Sequence, residues 1–253
     1  MPVEILTIPC LEDNYAYLVA GPEGVCLIDA PEPGPIIAAL DARGMTLDAI
    51  LITHHHWDHV EGLPGLRERY GCPVMGPRSE EAKLPPMDRL LDDDERLRVV
   101  GLDVQVIPVP GHTLGHIAFH MPGAGAVFTA DSLMALGCGR LFEGTPEMMW
   151  DSLRRLAGLP PETLVCSGHE YTQGNARFAL TIEPGNAELK SRSDAIAKAR
   201  TEGRPTVPCK LSEELATNPF LRPHVPAIRD GLGMADATDA EVFAEIRARK
   251  DRF

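Results

Sequence analysis

The chain has 253 residues, 44% of them hydrophobic and 24% charged, the profile of a folded protein with room for a full core. Its formal net charge of -13 argues against nucleic acid and anionic membrane as partners. No stretch approaches the roughly 20 apolar residues of a membrane span, and MPVEILTIPC lacks the basic and long apolar regions of a secretory signal, so a cytoplasmic location is expected.

VEILTI, YAYLVA and GVCLIDA predict three successive strands, with EDN and GPEG as turns. PGPIIAALDARG predicts a short helix in which Ile36, Ile37 and Leu40 share a face and Gly44 is the stop. DAILIT returns as a strand, so GVCLIDA through AILIT reads as a βαβ unit with parallel strands. GLPGLRERYG is a second short helix and PVMG a strand. The acidic run LDDDERL is a solvated turn before a strand at 97–100. VQVIPVP, HIAFHM, AVFTA and TLVCSG are four more strands. Near residue 172 the texture turns helical: NARFAL, KSRSDAIAKAR, SEELA and TDAEVFAEIRARK, with Pro184–Gly185 separating the first two. Thr238 with Glu241 forms a capping box that starts the last helix. The expected organisation is an α/β body over 1–172 and a helical domain over 173–253, without internal repeats. Cys10, Cys26, Cys72, Cys138, Cys166 and Cys209 form no C-x-x-C pair and read as reduced, mostly buried thiols.

The stretch THHHWDH at 53–59 holds four of the nine residues that the chain's histidine count allows. His54, His56, Asp58 and His59 follow AILIT, His112 follows VIPVPG, Asp131 follows AVFTA, and His169 follows LVCSG. Loops at strand ends are where layered α/β folds build ligand sites. His54 and His56 lie two apart, so on extended backbone they point to one side, and His55 and Trp57 to the other. Five imidazoles and two carboxylates exceed what one catalytic zinc takes, which is three protein ligands and an open position. Two ions accommodate them if one carboxylate bridges; Asp131 is the expected bridge, and Asp58 is expected to serve one ion with its neighbour His59. Any one of these histidines alone reads as a core or surface residue; the combination does not. His55, His116, His120 and His224 keep that ordinary reading, with His55 and His116 packing behind the site. Asp29, at another strand end, is a candidate to orient a ligand imidazole.

THHHWDH, PGHTLGH (110–116), Ala130–Asp131, GCGRLFEG (137–144) and SGHEYT (167–172) resemble the metallo-β-lactamase superfamily. With EELATNPFLR (213–222) and RARKD (247–251), the whole chain is similar to the hydroxyacylglutathione hydrolases, the glyoxalase II family. The resemblance implies a four-layer αββα sandwich with a C-terminal helical domain that binds glutathione. It implies two divalent metal ions per chain, zinc first and iron or manganese as alternatives. His54, His56 and His112 then hold one ion, Asp58, His59 and His169 the other, and Asp131 is shared. Glutathione-binding groups fall at Arg140, Tyr171, Arg247 and Lys250, with backbone near Phe142. Many members have tyrosine at Phe142, so a phenol hydrogen bond is missing here, and many have glycine at Ala130, so the turn before Asp131 is more crowded.

The implied reaction is hydrolysis of S-(2-hydroxyacyl)glutathione, typically S-D-lactoylglutathione, to glutathione and a 2-hydroxy acid in methylglyoxal detoxification. Metal coordination takes the pKa of water from about 15.7 to about 7, roughly 12 kcal/mol between protonation states, so that a bridging hydroxide attacks the carbonyl carbon. A thiol of pKa ~8.5 departs without a strong acid, which favours a thioester over an amide. Cys138 has no neighbouring histidine to activate it and reads as part of a tight Gly-Cys-Gly turn. Arg247, Arg249, Lys250 and Arg252 complement the dipole of the last helix on composition alone; the resemblance gives Arg247 and Lys250, three apart on one face, a part in binding an anionic substrate. The expected partner is a small glutathione thioester acted on by a monomer, without nucleic acid or membrane. Two other readings compete. A single-iron glutathione persulfide dioxygenase leaves the second-ion donors unused. A non-catalytic metal-binding module needs a closed site, usually rich in cysteine.

Overall fold

A computed structural model describes residues 3–253; the first two residues of the expected α/β body lie outside them. The chain divides into two compact units, one of residues up to 108 with 114–130, the other of 109–113 with 131–253.

In the first unit, β1 (Glu4–Cys10), β2 (Asn14–Gly21) and β3 (Gly24–Ile28) pair antiparallel. Helix α1 (Pro33–Arg43) ends at Gly44, whose φ of 62° supplies the left-handed cap. It leads into β4 (Ala49–Leu51), parallel to β3 as the βαβ reading requires. A one-turn helix α2 (Trp57–Val60) and α3 (Leu63–Tyr70) follow, then β5 (Val74–Pro77) and β6 (Arg89–Leu91), which continue the parallel half of the sheet. Leu18 lies opposite Leu27 and Leu27 beside Ile50, one row of alternating side chains. This row packs with Ile36 and Leu40 of α1 and Leu63 and Leu66 of α3. Each fully buried Leu or Ile in it contributes roughly 1.5–3 kcal/mol. The opposite face points to a second layer of antiparallel strands, β7 (Arg96–Val99), β8 (Leu102–Pro108), β9 (Ile117–Met121) and β10 (Ala126–Ala130). There Tyr17 meets Phe128 edge-on, centroids 5.6 Å apart. With both faces covered, β2 to β4 read as nearly continuous apolar runs. The acidic run does form an exposed turn between β6 and β7.

The second unit begins, after 109–113, with the two-residue strands β11 (Leu133–Met134) and β12 (Gly137–Cys138), then α4 (Pro146–Ala157) and β13 (Leu164–Ser167). Helices α5 (Thr172–Ile182), α6 (Ala187–Thr201), α7 (Leu211–Thr217), α8 (Pro226–Leu232) and α9 (Asp239–Arg252) follow, with β14 (Cys209–Lys210) beside β13. The core joins α5 and α6 to the hairpin through Leu136, Ala176, Ala179, Leu189 and Ile196. Aromatic contacts Trp150–Phe243, Phe220–Phe243 and Phe178–Phe220 tie α4, α9 and α5 together. Beneath them lies a buried ion pair, Arg192 with Glu214. Glu214 also accepts from the Leu136 amide at 2.9 Å and the Asn218 amide at 2.8 Å, which satisfies its remaining lone pairs. Helix α4 stands where only strands and turns are expected from the sequence. Thr145 caps it through the Met148 amide, and Pro146 occupies its first turn.

Candidate metal centre

In the first unit, four donors leave the end of β4 within six residues. His54 and His59 are fully buried, while His56 and Asp58 are partly exposed. His54 Nε2 lies 3.1 Å from His56 Nδ1, and its ring centroid is 4.2 Å from that of His59. His116 stacks on the far side of His54 at 4.5 Å, 14° from parallel. His55 and Trp57 point away: Trp57 into solvent, His55 into a bond with Glu80. Three of the four donors are braced from behind. Asp29 Oδ2 is 2.8 Å from His59 Nδ1 and 2.8 Å from Thr53 Oγ1, and its Oδ1 accepts from the Thr53 amide. Thr53 Oγ1 in turn reaches His54 Nδ1 at 3.0 Å. The Asn14 amide donates to Asp58 Oδ2 at 3.0 Å and to its carbonyl. Asp29 thus has the orienting contact expected of it; Asn14 carries no sequence signal, since nothing local marks it.

In the second unit, three donors from three separate segments converge. His112 Nε2 and His169 Nε2 lie 3.3 Å and 3.2 Å from the same oxygen, Asp131 Oδ2. All three are at most 5% exposed. His112 Nδ1 is 2.7 Å from the Arg140 carbonyl, and the His169 ring stacks on Tyr171 at 4.7 Å. The Gly-Cys-Gly turn makes this approach feasible: a Cβ on Gly139 would sit 1.8 Å from the Asp131 carbonyl oxygen. The donor chemistry fits divalent ions. In His59 and His112 an oxygen facing Nδ1 leaves Nε2 to serve as a ligand. Imidazole nitrogens and carboxylate oxygens gathered at this spacing are the ordinary ligand set of such ions.

The residues expected to hold substrate all belong to the second unit. Arg140 is exposed, with its guanidinium 5.9 Å from the centre of the Phe142 ring and Nε 3.9 Å from Asp251. Phe142 is 61% and Tyr171 43% exposed, so large apolar surface is presented to solvent. Lys250 Nζ sits between the Phe178 and Phe253 rings, 5.4 Å and 5.3 Å from their centres. Burial, then Arg247 and Arg177, hold its pKa below the usual lysine value. Arg247 differs from the others: it is buried, donating to the Cys138 carbonyl at 3.0 Å and to Asp251 at 2.7 Å. Burial pushes the Cys138 thiol up to about 11 even though Arg247 opposes it, so this cysteine is no thiolate nucleophile. Asp251, which joins Arg140 and Arg247, lay beyond sequence reasoning because an acidic residue among cations reads as ordinary surface.

Residues 11–169 match the metallo-β-lactamase superfamily, and residues 170–253 match the hydroxyacylglutathione hydrolase C-terminus. A hydroxyacylglutathione hydrolase of Ruegeria pomeroyi is 59% identical, with both chains covered in full. Among solved structures, ETHE1 from Myxococcus xanthus superposes with a TM-score of 0.68 at 26% identity, covering 98% of this chain and 90% of that one. TTHA1623, crystallised in a di-iron-bound form, gives a TM-score of 0.58 at 34% identity over 66% of this chain and 91% of its own. The fold is that of the metallo-β-lactamases, extended by the helical C-terminal segment. Among the described residues no helix is long and apolar enough to cross a membrane. Matched end to end, the chain belongs to the hydroxyacylglutathione hydrolases, metal-dependent enzymes of the metallo-β-lactamase superfamily.

Proposed function

We propose that the chain hydrolyses the thioester of S-(2-hydroxyacyl)glutathione, S-D-lactoylglutathione in the usual case, to glutathione and a 2-hydroxy acid, as a step of methylglyoxal detoxification. The observation that carries this reading is the convergence of His112 and His169 on one oxygen of Asp131, in the same unit as the exposed Arg140, Phe142 and Tyr171. We assign His54, His56 and His112 to one divalent ion and Asp58, His59 and His169 to a second, with Asp131 shared. Zinc is the first choice, and iron or manganese suits the same donors. The dioxygenase reading is weaker because it has no use for Asp58, His59 and His169.

When bound, the two cations supply an acidified water and positive charge for the carbonyl oxygen. The chain's own part is to fix and dry the surroundings. Asp29, Asn14 and the Arg140 carbonyl hold His59, Asp58 and His112 in orientation before substrate arrives, so little reorganisation remains for the reaction itself. Water adds at the carbonyl carbon, the C–S bond breaks, and glutathione leaves as a thiolate. With a thiol pKa of ~8.5 this departure needs no side-chain acid. Arg140 and Lys250 bind the glutathione carboxylates, the Tyr171 hydroxyl and backbone near Phe142 complete the cradle, and 173–253 is the substrate-binding domain. Arg247 acts from behind, holding the turn at Cys138 and the carboxylate of Asp251. The enzyme works as a cytoplasmic monomer, a reducing setting that suits its six buried free thiols.

The test is metal content per chain alongside S-D-lactoylglutathione turnover, before and after chelation. Two equivalents of metal are expected, with turnover abolished by chelation and restored by divalent metal. Full activity with one equivalent refutes the paired centre; full activity with none refutes the mechanism.

A further inference from the structure

Glu80 belongs to no part of the site described above, yet it is 3% exposed and sits behind the first donor loop. It ends the single turn Arg78–Glu80 that follows β5. Its Oε2 accepts from the His55 amide at 2.6 Å and lies 2.8 Å from His55 Nδ1. Its Oε1 accepts from the Gly115 amide at 3.2 Å. One buried carboxylate therefore clamps residue 55, which separates His54 from His56, to the segment just before β9.

Two neighbouring contacts run in parallel. The Ile117 amide donates to the Thr53 carbonyl at 3.0 Å, and His116 stacks on His54. Ser79 Oγ adds a bond to the Gly115 carbonyl at 3.3 Å. Gly115 has no alternative in this arrangement: a Cβ there would come within 2.4 Å of Glu80 Cγ and 2.6 Å of Ser79 Oγ. The central histidine of the triplet and the second glycine of PGHTLGH, both unexplained by ligation, thus have a single physical account. A bonded carboxylate removed from water is costly to leave unmatched, so these contacts hold His55 and Gly115 together.

We propose that Glu80 is a positioning residue for metal binding. By holding His55 through both backbone and ring, it sets the direction in which His54 and His56, on the opposite side of the same extended stretch, present their nitrogens. The inference rests on the paired-metal reading and deepens it, since it assigns part of the metal affinity to a residue that touches no ion.

The test compares wild type with Glu80→Ala, Glu80→Gln and Gly115→Ala, all as full-length protein. Zinc affinity is read by competition with a chromophoric chelator, donor geometry by the visible spectrum of the cobalt-loaded protein, and folding by circular dichroism of the metal-free form. Glu80→Ala is expected to weaken zinc binding by about 10–100-fold and to alter the cobalt spectrum. Glu80→Gln, which keeps the acceptor for one amide, should fall between it and wild type, and Gly115→Ala should resemble Glu80→Ala. If Glu80→Ala does not fold, Glu80→Gln carries the comparison. Wild-type affinity and spectrum in the folded Glu80 variants overturn the proposal while leaving the metal centre standing. A wild-type protein that binds no zinc removes the metal centre itself, and the role of Glu80 with it.

Discussion

Ala130 and Asp29 both sit at strand ends with positive φ, 41° and 57°, a region that disfavours residues with a Cβ. Asp29 is compensated, since its carboxylate bonds the Thr53 amide and hydroxyl and meets His59. Ala130 has only a buried methyl group and no polar side chain to bond the turn. Substituting Ala130→Gly is expected to stabilise the fold by about 1 kcal/mol, raising Tm by roughly 2–4 °C for a chain of this size. Thermal unfolding of the two proteins checks it, and a lower Tm in the glycine variant would show the turn is unstrained. Lys250 supports a second prediction. A lysine binds a carboxylate only while charged, below its pKa, and burial beside Arg247 and Arg177 lowers that pKa. KM should therefore climb with rising pH, and at a lower pH than an ordinary lysine allows. Lys250→Arg, which stays charged, should remove the extra climb. Superimposable KM profiles for the two proteins would take Lys250 out of the substrate site.

At the scale of elements, α9 carries Arg247 and Lys250 on one face and depends on its first turn for its start. Thr238 accepts from the Glu241 amide while the Glu241 side chain accepts from the Thr238 amide, closing the box. Replacing Thr238 with alanine should cost about 1 kcal/mol and shift the urea midpoint while kcat stays near wild type. A change in kcat comparable to that of a donor variant would mean that the helix start communicates with the chemistry. This box was legible in the sequence because capping is local. So were β1 to β4, whose apolar runs end at glycines or charged turns, and the donors at strand ends, which crowd into a few residues. Helix α4 was legible in principle: Met149, Trp150, Leu153 and Leu156 are its buried face at helical spacing, behind Thr145 and Pro146. The many glycines and prolines before it draw attention to turns instead. The two-residue strands β11 and β12 are too short for any period to register. Glu80, Asn14 and Glu214 were not legible at all, because each works through partners dozens of residues away that only the tertiary fold supplies.

For the whole molecule, the charge of -13 opposes the approach of an anionic thioester. A unit negative charge about 25 Å from that many like charges in water is repelled by roughly 2 kcal/mol before screening. The two divalent ions proposed above would offset only part of it. The cations proposed to hold glutathione act at short range, and salt separates the two effects by distance. At ~0.01 M the Debye length is about 30 Å and the full surface charge is felt; at ~0.1 M it is about 10 Å and only neighbouring groups matter. The ratio kcat/KM should consequently rise between ~0.01 M and ~0.1 M salt, then decline toward ~1 M as Arg140 and Lys250 are screened in turn. Arg140→Gln should preserve the rise and flatten the decline, since it removes a near charge and leaves the distant field almost unchanged. A monotonic fall from the lowest salt would mean that the local cations dominate at every distance and that the acidic surface plays no part in substrate capture.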